Sequence, residues 1–284
     1  MSGGMDVIFK RVIRWITRLL PIPFLAVVVL ICTSFSVIAP TIGTVGGSQV
    51  VLPASPYVVA PVKESVDRSK EMAAFEAKNR DCVGWLYIPG TDIDNEVVQS
   101  YNNDYYLRRT SLKKYYSEHG CYFADYRNRL EAGEEKDRNI ILYGHNIWDD
   151  GTMFSQLLKY EDWQYFAEHP YLYFQTADGM RVYRVVAAYY TFTNFYYIRP
   201  NGTDAQWSYI LEESLAKSEF LTDLDLPLDG NYLTLSTCCY KYYYPWGSRR
   251  TDQRFVVLGL EIDPENPPEY HLPVTNPYKK SPYD

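Results

Sequence analysis

The feature that most limits the fold of this chain is a succession of short apolar stretches with the length and residue types of β-strands. They are rich in Val, Ile, Tyr and Phe, and turn sequences such as Asp178-Gly179 separate them. We predict strands at Val83–Pro89, Ile93–Gln99, Gly120–Phe123, Asn139–Tyr143, Tyr171–Thr176, Arg181–Thr191, Tyr232–Thr237 and Phe255–Ile262. This pattern predicts a mainly β protein with a closed or nearly closed barrel of about eight strands; an open α+β sheet is the alternative.

Several stretches between the strands have helical character. The predicted helices lie within Lys63–Arg80, Asn102–Leu107, Met153–Leu158, Asp162–Glu168 and Trp207–Ser218. They should pack on the periphery of the barrel. The last part of the chain, Pro264–Asp284, carries six prolines and is predicted to be an extended tail.

The N-terminal part of the chain predicts a membrane anchor. No charged residue occurs between Leu19 and Val62, and Pro21–Ile42 is apolar over a length that spans a bilayer. Basic residues precede this stretch, so the N-terminus should be cytoplasmic and the rest of the chain extracellular. A cleaved signal peptide is the alternative.

These features divide the chain into five predicted parts. The divisions are a cytoplasmic basic segment (1–20), a transmembrane anchor (21–42), a linker with the start of a helix (43–70), a folded domain (71–263) and the Pro-rich tail (264–284).

The net charge of the whole chain is −7, whereas four basic residues and one acidic residue give residues 1–18 a net charge of +3. The remainder therefore carries −7 − 3 = −10, which argues against a nucleic-acid partner. The five cysteines include no CxxC pair, so neither a zinc site nor a disulfide framework is indicated.

A cysteine and a histidine stand at the ends of two predicted strands. Cys238 ends the strand in the sequence NYLTLSTCCY, and His145 follows another strand in the sequence YGHN. A thiol becomes a useful nucleophile when a base takes its proton. Taken separately, each residue also fits an ordinary structural role, because buried cysteines and loop histidines are common.

An arginine could complete such a site by binding a carbonyl oxygen. Arg254 opens the strand after Cys238, and antiparallel pairing of the two strands would bring the two residues together. Arg249 and Arg250, in the intervening loop, are alternatives. Side chains alternate along a strand, so Cys239 should face away from Cys238 and serve in packing.

These residues resemble the signatures of sortases, the cysteine transpeptidases of Gram-positive cell surfaces. The matching segments are TLSTC, the preceding YGHN and the following RFVV. Further blocks resemble class B sortases in particular: VGWLYIPGTDIDNEVVQ, NNDYYL, FADYRN, YGHNIWDDGTMFSQL and the helix before the cysteine strand. The resemblance covers roughly residues 70–262.

The resemblance implies a mechanism and a set of residues. Cys238 would attack a Thr carbonyl in a C-terminal sorting motif of a secreted protein, His145 would move protons, and Arg254 would bind the carbonyl oxygen. A thioester would form and an amine would resolve it, with no cofactor, metal or ATP. The residues implied in substrate binding are Ser236, Thr237, Thr191, Thr193 and Tyr196.

The resemblance also implies partners. The motif should be of the Asn-Pro-x-Thr type, and the amine should come from a peptidoglycan precursor or a pilin lysine. A hydrolytic cysteine protease and a non-catalytic, Tyr-rich binding module remain alternatives. The sixteen-residue step from Cys238 to Arg254 is longer than the family leads one to expect, and this keeps Arg249 and Arg250 open.

Overall fold

The structure is a computed structural model that describes residues 42–45, 48–51, 66–112 and 114–284. The predicted basic segment, residues 21–41 of the predicted anchor and most of the predicted linker lie outside the described residues. Among the residues that are described, no helix combines the length and the apolar character needed to cross a membrane.

Eight β-strands form a closed barrel, as the strand pattern predicts, and the open-sheet alternative is wrong. Around the barrel their order is β10, β13, β12, β6, β5, β4, β3 and β9, with β9 pairing again with β10. The barrel strands are β3 (Cys82–Tyr87), β4 (Asp94–Val98), β5 (Phe123–Ala124), β6 (Asn139–Tyr143), β9 (Tyr171–Thr176), β10 (Gly179–Phe192), β12 (Tyr232–Cys238) and β13 (Gln253–Ile262).

Six shorter strands in the described part of the chain form two-stranded ribbons outside the barrel. They are β1 (Ile42–Val45) with β2 (Ser48–Val51), β7 (Asn146–Ile147) with β8 (Thr152–Met153), and β11 (Phe220–Leu221) with β14 (Val274–Thr275). The first ribbon begins at Ile42, the last residue of the predicted anchor, and otherwise lies within the predicted linker.

Strands β12 and β13 are buried on both faces. Inside the barrel, Leu235 and Val257 join one apolar core. On the outer face, Val256 belongs to a second core that includes Trp207. This double burial explains why β13 reads as a continuous apolar run instead of an alternating one.

Among the residues that the structure describes, four helical segments lie around the barrel: α1 (Ser69–Glu76), a 3₁₀ helix (Phe154–Glu161), α2 (Trp163–Glu168) and α3 (Asp204–Lys217). Helix α3 begins earlier than predicted because Thr203 and Gln206 form a capping box at its N-terminus. Residues 102–107 form bends and turns, so the helix predicted there is wrong.

The Pro-rich tail packs on the barrel instead of extending into solvent. Its strand β14 pairs with β11, and the hydroxyl group of buried Tyr270 donates a hydrogen bond to the Ala167 carbonyl at 2.6 Å. The Tyr270 ring lies against the guanidinium of Arg184, with 4.7 Å between the guanidinium carbon and the ring centroid. The prolines therefore limit regular secondary structure in the tail without preventing it from packing.

Candidate active site

Strand pairing brings the predicted cysteine, histidine and arginine to one edge of the barrel. Strands β6 and β12 are parallel, and Tyr143 pairs with Ser236. His145 and Cys238 each lie two residues beyond that pair, so they emerge at the same edge. Strand β13 runs antiparallel to β12, with Arg254 directly opposite Cys238. Directly opposed residues share a face of the sheet, which brings their side chains close together.

The three side chains line one cavity of about 270 Å³. Its remaining walls come from the strand edge and from two loops, one before β5 and one after β10. The lining residues are Asn103, Leu107, Phe123, Tyr143, Gly144, His145, Thr193, Phe195, Tyr197, Ile198, Ser236, Thr237, Cys238 and Arg254.

Hydrogen bonds fix the cysteine strand to the histidine turn. The Thr237 hydroxyl group donates to the Gly144 carbonyl at 2.8 Å, and the Asn146 side-chain amide donates to the Cys238 carbonyl at 2.9 Å. Only glycine fits at position 144, because a Cβ atom there would lie 2.8 Å from the Phe154 ring. Hydrogen bonds from neighbouring side chains to the main chain therefore hold the segments that carry His145 and Cys238.

The imidazole of His145 has a defined tautomer. Its Nε2 lies 2.7 Å from the Leu107 carbonyl oxygen, which can only accept a hydrogen bond, so Nε2 carries the proton. In the neutral ring, Nδ1 is then the nitrogen that can exchange a proton. Burial lowers the pKa of His145 below its ordinary value, and the nearby positive charge of Arg108 lowers it further, although the bond to Leu107 raises it. The imidazole is therefore mainly neutral at pH 7.

Cys238 differs from the other described cysteines in its accessibility. Cys82, Cys121 and Cys239 are buried free thiols, whereas the Cys238 thiol is free and partly exposed. Burial raises the pKa of Cys82 to about 11 and that of Cys239 to about 12, which keeps both thiols protonated. Cys239 packs in the barrel core and lies 3.4 Å from the side-chain oxygen of Gln253. This agrees with the expected packing role for Cys239.

Of the three candidate arginines, only Arg254 lines the cavity. Its guanidinium donates to the carbonyls of Gln253 at 2.9 Å and Thr251 at 3.3 Å. Arg250 forms two hydrogen bonds with the Asp252 carboxylate and lies over the Phe192 ring. Arg249 lines a different cavity. The extra loop residues therefore do not displace Arg254 from the position opposite the cysteine.

The five residues implied in substrate binding divide into two groups. Ser236, Thr237 and Thr193 line the cavity. Thr191 is buried with 1% of its surface exposed, and the exposed side chain of Tyr196 accepts a hydrogen bond from Arg127; neither lines the cavity.

Sequence reasoning missed Tyr197, which lines the cavity one position after Tyr196. The Tyr197 hydroxyl group is hydrogen-bonded to the Ser236 hydroxyl group at 2.7 Å. The adjacent tyrosines look equivalent in the sequence, and only the path of the loop decides which one turns inward. Leu107 was also missed, although it lies in the NNDYYL block that carries part of the family resemblance.

The arrangement has the parts that acyl transfer requires. A partly exposed thiol can attack a carbonyl carbon, a neutral imidazole can accept its proton, and a guanidinium can stabilise the negative charge on the carbonyl oxygen. The surrounding walls are largely apolar, which strengthens each of these electrostatic contacts.

The chain is similar to characterised proteins over about two thirds of its length. No family model matches it. It is 36% identical to sortase B of Listeria monocytogenes over 192 residues, which cover 66% of this chain and 73% of the relative. It is 31% identical to sortase B of Staphylococcus aureus over 193 residues, which cover 68% and 75%.

Solved structures show the same similarity. A Staphylococcus aureus sortase B–substrate complex superimposes with a TM-score of 0.60 at 30% identity, covering 68% of this chain and 85% of that one. A Bacillus anthracis protein described as similar to sortase B gives a TM-score of 0.58 at 34% identity, covering 68% and 83%.

Proposed function

The chain belongs to the class B sortases, and we propose that it is a membrane-anchored transpeptidase that joins secreted proteins to a cell-wall amine. Membership in this family makes the chain a cysteine transpeptidase of the sortase type. The proposal adds the catalytic residues, the substrates and the location.

The observation that carries the proposal is the meeting of Cys238, His145 and Arg254 in one cavity. The sequence separates these residues by as many as 109 positions, since 254 − 145 = 109. Packing alone does not require a thiol, an imidazole and a guanidinium to share one opening. Acyl transfer through a thioester has a use for each of them, as nucleophile, as proton carrier and as oxyanion stabiliser.

In the first half of the reaction, Cys238 Sγ attacks the Thr carbonyl carbon of the donor as His145 accepts the thiol proton at Nδ1. Arg254 stabilises the negative charge on the carbonyl oxygen. The C–N bond then breaks, His145 returns the proton to the departing amine, and a thioester joins Cys238 to the Thr acyl group.

In the second half, an incoming amine attacks the thioester carbon. A new C–N bond forms and the C–S bond breaks. His145 takes the proton that the amine loses, and the Cys238 sulfur regains a proton through the same imidazole. One amide replaces another, so the cycle consumes neither ATP nor an oxidant.

The donor is a secreted protein with a C-terminal sorting motif of the Asn-Pro-x-Thr type. Support for a peptide donor comes from the relative that was solved as a substrate complex and superimposes on this chain. Apolar side chains such as Phe195 and Ile198 line the same cavity as the thiol and offer apolar surface to such a segment. The acceptor is an amine of a peptidoglycan precursor or a pilin lysine.

The enzyme acts outside the cell and is held there by residues 21–42. The support is the apolar length of that segment and the basic residues before it. Tethering places the cavity near substrates that are still in the same membrane, which raises their effective concentration.

Reaction of the full-length chain in detergent with peptides and amines tests this function. We expect cleavage after Thr in an Asn-Pro-x-Thr peptide, less cleavage of a Leu-Pro-x-Thr-Gly peptide, and transfer of the acyl group to an added amine. Cys238→Ala should abolish both products. If the cleaved peptide is released as the free acid even when an amine is added, the enzyme is instead a hydrolytic protease. If none of the peptides is cleaved, the binding module is favoured.

A further inference from the structure

A buried carboxylate near the catalytic cavity has no part in the reaction steps. Asp125 directly follows β5, is fully buried and does not line the cavity. Burial alone would raise the pKa of Asp125, but hydrogen bonds from Arg127 hold it below its ordinary value, so the side chain is charged at pH 7. A buried charge is costly unless hydrogen-bonded partners surround it, so the partners of Asp125 indicate what it does.

Among the described residues, five hydrogen bonds end on the Asp125 carboxylate. Arg127 supplies three of them: its guanidinium donates to Oδ1 at 2.8 Å and to Oδ2 at 2.7 Å, and its main-chain N–H donates to Oδ1. The other donors are the Asn103 side-chain amide at 3.0 Å and the Tyr143 hydroxyl group at 2.8 Å. Asn103 and Tyr143 both line the catalytic cavity. The carboxylate therefore fixes one lining side chain from the loop before β5 and one from β6.

Arg127 extends the connection to the second loop of the cavity, which follows β10. Its guanidinium also donates to the Ile198 carbonyl at 2.9 Å and to the Tyr196 hydroxyl group. Ile198 lines the cavity. The planar guanidinium can bind a carboxylate with two N–H groups and still present others in fixed directions, which a lysine ammonium group cannot do. Asp125 and Arg127 thus join the two loops that form the cavity walls.

We propose that Asp125 and Arg127 are positioning residues, which together form a brace that holds these two loops at the spacing the donor peptide requires. Neither residue lines the cavity, so each acts through the lining residues that it holds. The inference rests on the proposed transpeptidase function and adds two residues that govern how its donor is bound.

The brace is separate from the contacts that hold the nucleophile. The hydrogen bonds of Thr237 and Asn146, which hold the segments of Cys238 and His145, do not involve Asp125 or Arg127. Loss of the brace should therefore weaken donor binding more than it slows the chemical step.

Arg127→Lys tests the brace with the positive charge retained. A lysine can still pair with Asp125, but it cannot hold the carboxylate at two points and reach the Ile198 carbonyl as well. We expect the full-length enzyme in detergent to show a KM for the Asn-Pro-x-Thr peptide several-fold above the wild-type value, with a much smaller change in kcat. The rate at which iodoacetamide alkylates Cys238 should stay near the wild-type rate, because so small a reagent does not depend on the loop spacing.

Asp125→Asn tests the same brace from its other end. The substitution removes the charge and replaces an acceptor oxygen with an amide donor, so it should raise the donor KM at least as much. Because the two residues act as one unit, the double variant should raise the KM by less than the product of the two single effects. If Asp125→Asn does not fold, as judged by thermal unfolding, the result for Arg127→Lys decides alone.

Arg129→Lys is the matched control. Arg129 lies two positions further along the chain and donates to the buried Asp137 carboxylate at 3.0 Å. Asp137 also accepts hydrogen bonds from Asn128 and Asn201, and none of these four residues lines the catalytic cavity. The same substitution at this similar ion pair should leave the donor KM at the wild-type value.

The failures of the two proposals are distinguishable. A donor KM that is the same in wild type and Arg127→Lys, or that rises equally in Arg127→Lys and Arg129→Lys, would overturn the brace alone. Absence of Cys238-dependent donor cleavage in the wild-type enzyme would overturn the proposed function and the brace with it.

Discussion

At the scale of single residues, the environment of His145 decides how the proposed reaction begins. Burial favours the neutral ring, and the bond from Nε2 to the Leu107 carbonyl leaves Nδ1 as the basic nitrogen. A neutral imidazole can accept the thiol proton as sulfur attacks, and it becomes an acid only after doing so. The same residue thus supplies the proton that the departing amine needs.

The pKa of His145 is directly measurable. In Cys238→Ala, an NMR titration of the imidazole should give a midpoint below the ordinary value of 6.5, because burial disfavours the charged ring. Arg108→Gln should raise that midpoint by removing a nearby positive charge. A midpoint at or above 6.5 in Cys238→Ala would contradict the buried environment.

The same shift has a consequence for stability. A base whose pKa is lowered on folding binds fewer protons in the folded chain than in the unfolded one. The free energy of unfolding should therefore decrease as the pH falls from about 6.5 through the lowered pKa. Replacing His145 with Gln should remove that part of the pH dependence, as followed by urea unfolding between pH 5 and pH 8.

The assignment of the arginine is a second test at this scale. Arg254→Gln should reduce kcat for donor cleavage by about 10²- to 10³-fold, the usual loss when a group that stabilises the oxyanion is removed. Arg250→Gln should reduce it far less, since that side chain is bound to Asp252. If Arg250→Gln were the more damaging change, the arginine opposite the cysteine would not be the functional one.

At the scale of elements, the sequence predicted strands better than helices and loops. The strands β6 and β12 are rich in apolar and β-branched residues, so their positions were correct within a residue or two. Helix α3 starts three residues before its predicted start at Trp207, because a capping box decides the start. The packing of the tail depends on long-range partners such as Arg184, which no local pattern reveals.

The contact between the two catalytic strands should be measurable as stability. Thr237→Val removes the hydroxyl group that donates to the Gly144 carbonyl and leaves that buried oxygen without its donor. We expect a loss of about 1–3 kcal/mol in the free energy of unfolding, measured by urea denaturation. Thr237→Ser keeps the hydroxyl group and should lose less; equal losses in the two variants would show that the methyl group matters more than the bond.

The packing of the tail depends on a buried ion pair. Arg184 is fully buried, and its guanidinium donates to the Asp223 carboxylate at 3.0 Å and to the Glu269 main-chain carbonyl at 3.0 Å. Asp223→Asn would leave this charge unpaired and should lower the free energy of unfolding by about 3–5 kcal/mol.

Glu269→Gln is the matched control for the tail. It alters a carboxylate that is 65% exposed and preserves the main-chain bond to Arg184, so its effect should stay near zero. Similar losses in Asp223→Asn and Glu269→Gln, measured by thermal or urea unfolding, would mean that the buried ion pair does not hold the tail.

At the scale of the whole molecule, closure of the barrel assembles the site. The sequence supplied the candidate cysteine, histidine and arginine, but it does not state that β6 and β12 lie side by side and run parallel. That arrangement brings His145 to Cys238 from 93 residues away, since 238 − 145 = 93. The family resemblance supplied this information indirectly, whereas the inward position of Tyr197 in the cavity could be found only in the folded chain.

The central claim is that Cys238 carries the donor acyl group as a thioester, and peptide-level mass spectrometry of the acid-quenched enzyme tests it most directly. The full-length enzyme is mixed with an Asn-Pro-x-Thr peptide, quenched in acid and digested. We predict a mass increase equal to the acyl part ending at Thr, located on the peptide that contains Cys238, and its loss on adding hydroxylamine or triglycine. A donor peptide cleaved without this adduct, or an adduct that persists in Cys238→Ala, would contradict the account.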